Sequence, residues 1–258
     1  MKLKLYFFLV FIATNYSIKG QNSRINNQNT IGWYNYFGTF KLDEKFSLHT
    51  EYQFRRANLI TDKQQGLLRL GVNYQLNSKI QLRLGYAWIE TYPYGEIPIN
   101  GSGKNFTEHR AYQMITITDK VSIVDLSHRF ILEQRWVGRY TIDNLATEDQ
   151  FPLLNRFRYM FRLQIPLKGK SIDNKTPYIA IYDEIFIGFG ENVNENIFDQ
   201  NRLGVLLGYK FNNSLRIEGG YLNQTLQLGR EVDNRKVFQN NNGIIINTIF
   251  NFDLTKKK

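Results

Sequence analysis

The chain has 258 residues, a formal net charge of +10 and 15% aromatic side chains. It contains no cysteine, which excludes disulfides, thiolate nucleophiles, cysteine-ligated metals and lipid-anchored cysteines. The mean hydropathy of −0.41 is too polar for a bundle of membrane-spanning helices. The length suits one large β domain or two small ones.

Residues 1–20 have the layout of a secretory signal peptide. Lys2 and Lys4 precede a nine-residue apolar run, Leu5–Ala13, and a polar stretch ends at Gly20. The run is too short to cross a bilayer as a helix. A buried N-terminal strand or helix is the alternative. Cleavage near Gly20 would leave a net charge of about +7.

Alternation of apolar and polar residues with a period of two recurs along the rest of the chain, and no helical stripe of useful length is found. Most of the predicted strands have 11 to 15 residues. Strands of soluble sheets usually have about 5–6 residues, and a tilted bilayer crossing needs about 9–11. The pattern predicts eleven strands, over residues 33–40, 46–56, 66–76, 80–92, 106–118, 123–139, 151–165, 176–189, 199–211, 215–228 and 238–254.

The connections between these strands alternate between short and long. The short ones contain turn-forming Asn, Asp or Ser and lie at residues 41–45, 77–79, 118–120 and 212–214. The long ones lie at 57–65, 93–105, 141–150, 190–198 and 229–237, and only the connection at 167–176 departs from the alternation. Short turns on one side and long loops on the other are typical of outer-membrane barrels.

Arginines lie within the predicted strands, whereas lysines lie mainly in the short connections. An arginine facing lipid at the bilayer midplane would cost about 2–4 kcal/mol, so these arginines are expected to face a polar lumen. The residues predicted to line that lumen are Arg55, Arg69, Arg83, Arg129, Arg135, Arg156, Arg158, Arg162, Arg202, Arg216, Glu51, Glu133, Glu184 and Glu218.

Alternation alone does not decide which face is inside, because a soluble lipocalin-like barrel has the same period with the faces reversed. Aromatic residues at both ends of the predicted strands favour the membrane barrel, in which aromatic girdles mark the two interfaces. The predicted girdle residues are Trp88, Tyr92, Trp136 and Tyr140 at one end, and Tyr74, Tyr209, Phe250 and Phe252 at the other.

The predicted strand number is odd, whereas single-chain bacterial barrels have even numbers. We therefore expect a transmembrane antiparallel β-barrel of twelve strands, with ten as the next alternative. Residues 21–32 would supply an irregular strand or thread through the lumen. The expected organisation is a signal peptide (1–20), an N-terminal segment (21–32), the barrel (33–254) and a basic tail (255–258).

Four segments resemble a domain-of-unknown-function family of Gram-negative outer-membrane β-barrels. They are WYNYFGTFKLDEKFSLHTEYQFR (Trp33–Arg55), LEQRW (Leu132–Trp136), NRFRYMFRLQIPL (Asn155–Leu167) and YDEIFI (Tyr182–Ile187). The resemblance implies the fold and the cell outer membrane as the location. It implies no substrate. The final strand, which ends in aromatic residues, also resembles the segment that the outer-membrane assembly machinery reads.

No pattern of residues carries a recognisable reaction. The histidines are His49, His109 and His128, and Ser127 precedes His128, but neighbours in a strand point to opposite faces. Their spacing does not indicate a metal site, and no phosphate-binding loop is present. We expect no catalytic residues, no metal and no cofactor. Glu184 is expected to face inward and to pair with Arg158 or Arg202.

The functional hypothesis is a structural barrel or a narrow, anion-preferring pore with an arginine-rich lumen. Barrels of about eight strands are filled by side chains and clear channels appear near 16–18, so twelve strands lie between these cases. Membrane lipid, lipopolysaccharide, the assembly machinery and a small anionic solute are the expected partners, and nucleic acid is not. The alternatives are a lipid- or lipopolysaccharide-modifying enzyme and a soluble periplasmic ligand-binding barrel.

Overall fold

The computed structural model describes residues 24–193 and 196–255. The predicted signal peptide and residues 256–258 of the basic tail lie outside the described residues. No helix in the described part of the chain is long and apolar enough to cross a membrane.

The described residues form eleven β-strands and no helix, one for each predicted strand, although β1 begins nine residues before the predicted strand 33–40. Their lengths run from 12 to 19 residues. The strands are β1 (Arg24–Lys41), β2 (Phe46–Ala57), β3 (Asp62–Gln75), β4 (Ile80–Thr91), β5 (Phe106–Val121), β6 (Val124–Val137), β7 (Leu153–Pro166), β8 (Thr176–Phe189), β9 (Phe198–Lys210), β10 (Leu215–Val232) and β11 (Arg235–Asp253).

The strands close into one barrel in sequence order. Consecutive strands pair antiparallel, and β1 pairs in parallel with β11, from Arg24 opposite Lys236 to Lys41 opposite Asp253. The expectation of twelve or ten strands is therefore wrong. A closed sheet needs an even number of strands only when every pair is antiparallel, and one parallel pair removes that requirement. The described part of the segment 21–32 belongs to β1.

Three predicted connections are wrong because tight turns replace them. β10 and β11 continue to a two-residue turn at Asp233 and Asn234, with φ of 52° and 57°, instead of leaving a loop at 229–237. Asp and Asn tolerate this left-handed conformation, which the favoured two-residue hairpin turns require. β5 likewise continues through 118–120 to a turn at Ser122, and the connection expected at 57–65 shrinks to residues 58–61.

The apolar face of the barrel points outward. Leu70, Leu84 and Leu207 lie on the outer surface with 49%, 63% and 61% of their area exposed. Arginines and glutamates occupy the alternate positions and are buried in the interior. This arrangement is the reverse of a lipocalin-like barrel.

Aromatic residues lie on the exterior near both ends of the barrel. We call these ends the long-loop mouth, where residues 92–105, 138–152 and 190–197 connect strands, and the short-turn mouth. Trp88 and Trp136 are exposed near the long-loop mouth. The rings of Phe250 and Phe252 stack near the short-turn mouth, where Tyr74 and Tyr209 also lie. Tyr92 and Tyr140 lie beyond the strands, in the loops.

Interior tyrosines pack flat against glycines on the β8–β9 side of the barrel wall. A Cβ atom at Gly204 would lie 2.2 Å from the Tyr182 ring, and one at Gly208 would lie 2.3 Å from the Tyr178 ring. Both tyrosines belong to the largest buried apolar cluster. Glycine at these two positions therefore makes room for the rings that fill this side of the interior.

Candidate functional site

The structure places all fourteen predicted lumen residues on the interior face of the barrel. Because side chains alternate along a strand, the inward face of each strand carries every second residue. Arg83, the fourth residue of β4, faces inward and donates from Nε to Asn73 Oδ1 at 2.5 Å. The carboxylates of Glu51, Glu133, Glu184 and Glu218 are all buried.

Glu133 is the centre of an ionic network in the middle of the barrel. It is fully buried and accepts hydrogen bonds from three arginines, with Arg110 Nη1 at 3.1 Å, Arg156 Nε at 2.8 Å and Arg158 Nη1 at 2.7 Å. Arg158 also donates from Nη2 to Glu184 Oε1 at 2.7 Å. The network therefore links β5, β6, β7 and β8 across the interior.

Two carboxylates that the sequence reasoning missed extend this network toward the long-loop mouth. Glu108 pairs with Arg110 at 2.6 Å and with Arg135 at 2.7 Å. Asp199 pairs with Arg156 at 2.6 Å. The alternation of Glu108, Arg110 and Tyr112 in β5 carried a signal for the first carboxylate, since the three residues share one face. Asp199 gave no such signal, because it lies beside a bulge at the start of β9.

Two smaller ionic groups occupy the half of the barrel near the short-turn mouth. Glu51 pairs with Arg69 at 2.8 Å and with His49 Nε2 at 3.0 Å. Glu218 pairs with Arg162 and accepts a hydrogen bond from the Tyr178 hydroxyl at 2.8 Å. These groups neutralise both carboxylates in the interior.

Positive charge remains in excess on the interior face of the described strands. Four of the predicted arginines have no carboxylate within 4.0 Å among the described residues. The four are Arg55, Arg83, Arg202 and Arg216. Arg202 lies opposite Glu184 in the register of β8 and β9, but the Glu184 carboxylate binds Arg129 and Arg158 instead.

A chamber of about 480 Å³ lies between the central network and the long-loop mouth. Nine arginines line this chamber, whereas the acidic residues of its described lining are Glu108 and Asp199. The arginines are Arg55, Arg69, Arg110, Arg135, Arg139, Arg156, Arg158, Arg202 and Arg230. A cavity of this size and charge suits a small anion or a hydrated anion path.

The loop between β4 and β5, which we call the mouth strap (residues 92–105), crosses the long-loop mouth to β10 and β11. The Tyr94 hydroxyl donates to Gln239 Oε1 at 2.8 Å and accepts from Asn241 Nδ2 at 3.1 Å. Arg230 Nη2 donates to the Pro98 carbonyl at 2.7 Å. Burial raises the pKa of the Tyr94 phenol, so the hydroxyl stays protonated and donates at neutral pH.

The three histidines do not assemble with a nucleophile. His109 and His128 lie on the exterior, where their Nδ1 atoms contact the Tyr86 hydroxyl at 2.6 Å and the Tyr159 hydroxyl at 2.9 Å. Only His49 faces the interior, where it binds Glu51. Among the described residues, no group of three or more His, Asp or Glu side chains is arranged to hold a metal ion.

Fold and interior together define a closed eleven-stranded β-barrel with an apolar exterior and an arginine-rich interior. A family described as "Protein of unknown function (DUF2490)" matches residues 30–235, and the chain belongs to that family. The resemblance to a family of unknown function is thereby confirmed.

Among solved structures, the chain is similar to one titled "NanC porin structure in rhombohedral crystal form". The identity is 12%, the match covers 80% of this chain and 91% of the other, and the TM-score is 0.43. No curated protein matches the chain.

Proposed function

We propose that the protein is an outer-membrane β-barrel that forms a narrow, anion-preferring path. Its exterior would contact lipid and lipopolysaccharide, and the outer-membrane assembly machinery would recognise β11. The observation that carries the proposal is the excess of buried interior arginines behind an apolar outer face. The proposed role is not enzymatic: the side-chain hydrogen bonds of the three histidines are to Glu51, Tyr86 and Tyr159.

The distribution of residues around the wall supports a membrane location. Strands of 12 to 19 residues exceed the length that a tilted bilayer crossing needs. Water would be a poor solvent for the continuous apolar exterior, because large exposed apolar patches are rare on soluble monomers. A soluble ligand-binding barrel would need the opposite arrangement, with its apolar side chains around the ligand.

The interior supports a preference for anions and a narrow path. Rings of arginine favour anions in pores. Arg55, Arg83, Arg202 and Arg216 keep charge that no described carboxylate neutralises. The Glu133 network crosses the centre of the barrel, and the mouth strap covers one entrance. Both features leave less space than a wide aqueous pore.

Reversal potentials in planar bilayers under a potassium chloride gradient test the proposal. We expect an anion-biased potential, and we expect the bias to fall in a variant carrying both Arg55→Gln and Arg202→Gln. Arg56→Gln is the matched control. Arg56 follows Arg55 in the chain, but its side chain lies on the outer face, where it binds the Ile60 carbonyl. Cation selectivity, or no conductance from any variant, would overturn the proposed path.

A further inference from the structure

Two interior arginines are held by glutamine where a third is held by glutamate. Arg110 donates from Nε to Glu108 Oε1 at 2.8 Å, two residues earlier on the same face. Arg55 makes the same contact with Gln53 Oε1 at 2.8 Å, and Arg202 makes it with Gln200 Oε1 at 2.9 Å. The amide orients the guanidinium as the carboxylate does, but it leaves the positive charge unneutralised.

Both glutamines are themselves fixed by carboxylates that are already paired. Gln53 Nε2 donates to Glu51, which binds Arg69. Gln200 Nε2 donates to Asp199, which binds Arg156. The amide oxygens therefore point toward Arg55 and Arg202, while the two carboxylates are paired with Arg69 and Arg156. This second layer holds the two guanidinium groups in place.

Arg55 and Arg202 converge on one aromatic ring. Their guanidinium carbons lie 3.9 Å and 4.8 Å from the centroid of the Trp33 ring, so the two groups are no further apart than the sum of these distances. Both arginines line the chamber below the mouth strap. They are only 7% and 9% exposed.

The terminal nitrogens of Arg202 have no hydrogen-bond acceptor among the described residues, and the guanidinium lies over the rings of Trp33 and Phe186. Its Nε atom binds Gln200, but neither Nη atom donates a hydrogen bond to another described residue. A buried guanidinium without a counter-charge is costly. The chain places neutral glutamine where glutamate would have neutralised Arg202, so an anion in the chamber would supply the counter-charge.

We infer that the chamber binds a small oxyanion solute, through a phosphate or carboxylate group, between Arg55 and Arg202. Guanidinium groups bind both chemical groups by paired hydrogen bonds. The inference deepens the proposed anion path and rests on it, because the solute would reach the chamber through the long-loop mouth. The chamber of about 480 Å³ has room for a small solute.

Titration of the full-length, detergent-folded protein with inorganic phosphate tests this inference. Trp33 reports on the site when Trp88→Phe and Trp136→Phe remove the two exterior tryptophans. We expect saturable changes in Trp33 emission at constant ionic strength, matched by heat in calorimetry. Succinate should compete with phosphate if carboxylates share the site, whereas chloride at the same ionic strength should not.

Two variants and one control separate the site from general charge effects. Arg202→Gln removes the donor, and Gln200→Glu supplies an internal counter-charge without removing it. We expect each to weaken phosphate binding by at least about tenfold. Arg56→Gln removes the same charge from the exterior and should change the affinity by less than about twofold. Unheated gel mobility shows whether each variant has folded.

Phosphate signals that do not saturate, or that are equal in all folded variants, would overturn the inference. An anion-biased reversal potential together with that result would leave the proposed path intact and remove only the site. Saturable phosphate binding together with cation-selective conductance would leave the site intact and remove the proposed anion path. The two failures are therefore distinguishable.

Discussion

At the scale of single residues, Glu133 is the position on which the interior depends most. Three buried arginines share its carboxylate, and its side chain is fully removed from solvent. Breaking a buried ionic group from one side leaves uncompensated charge, which costs more than the intact group contributes. The residue therefore matters for stability as well as for the net charge of the interior.

Glu133→Gln should lower the free energy of unfolding by about 3–5 kcal/mol, because three guanidinium groups lose their shared charge. The measurement is unfolding by urea in lipid vesicles. Glu44→Gln makes the same chemical change in the exposed turn between β1 and β2, and it should leave the unfolding midpoint unchanged. Equal midpoints for Glu133→Gln and wild type would contradict the central role of this carboxylate.

Gly208→Ala should destabilise the barrel by about 1–3 kcal/mol, since the new methyl group would overlap the Tyr178 ring. The same unfolding experiment measures the effect. Gly66→Ala is the control, because a Cβ there would lie 3.9 Å from its nearest neighbour, the Tyr52 hydroxyl. A stability loss of the same size at Gly66 would show that the Tyr178 contact is not the cause.

Alternation in the sequence was sufficient to assign side chains to faces wherever a strand is regular. It placed Arg83 and Glu184 inside without any knowledge of their partners. It could not find the site around Arg202, because that site depends on Gln53, Gln200 and Trp33. These residues lie on three strands, and their meeting follows from register that single-sequence patterns do not carry.

At the scale of elements, the mouth strap lines the chamber at its long-loop end. It is attached to the opposite wall by side-chain hydrogen bonds from Tyr94, Gln239 and Arg230. Such contacts can break and reform without unfolding the strands. The sequence predicted a long loop here, but its composition did not reveal that the loop crosses the mouth.

Loosening the mouth strap should raise conductance. Tyr94→Phe combined with Arg230→Gln removes the donors to Gln239 and to the Pro98 carbonyl, so the strap should vacate the mouth more often. Single-channel recording in planar bilayers measures the change. Tyr92→Phe is the control, since it removes a hydroxyl from the first residue of the strap without breaking the attachments. Unchanged conductance in the double variant would show that the strap does not limit the path.

The number of strands and their approximate positions were predictable from alternation, whereas several strand limits and connections were not. Asp233, Asn234 and Ser122 adopt left-handed backbone conformations that allow two-residue turns. The same residue types also occur in long loops, so composition alone overestimated the length of the β10–β11 connection and misplaced the β5–β6 turn. The long β10–β11 hairpin is the clearest consequence.

At the scale of the whole molecule, closure of the barrel by a parallel pair of strands permits an odd number of strands. β1 runs beside β11 over its full length, and this seam allows eleven strands. Period-two patterns identify strands but not their partners, so the parity argument gave the wrong number. The seam also places the first described residue, Arg24, at the long-loop mouth.

A closed barrel in a membrane should show a heat-dependent mobility. We expect the protein in the membrane fraction, soluble only in detergent, and we expect the unheated sample to run faster on a denaturing gel than the boiled one. The reason is that closed barrels resist unfolding by detergent. Recovery in the soluble fraction, with one mobility at both temperatures, would favour the soluble ligand-binding barrel.

Quenching by brominated lipids is the most direct test of a membrane barrel with an apolar exterior, because it reports which face of the barrel contacts lipid. Three single-tryptophan variants would retain Trp33, Trp88 or Trp136. Trp88 and Trp136 are exposed on the exterior, whereas Trp33 is 2% exposed and faces the interior. We expect strong quenching of Trp88 and Trp136 and none of Trp33. Quenching of Trp33, or no quenching at Trp88 and Trp136, would contradict this expectation.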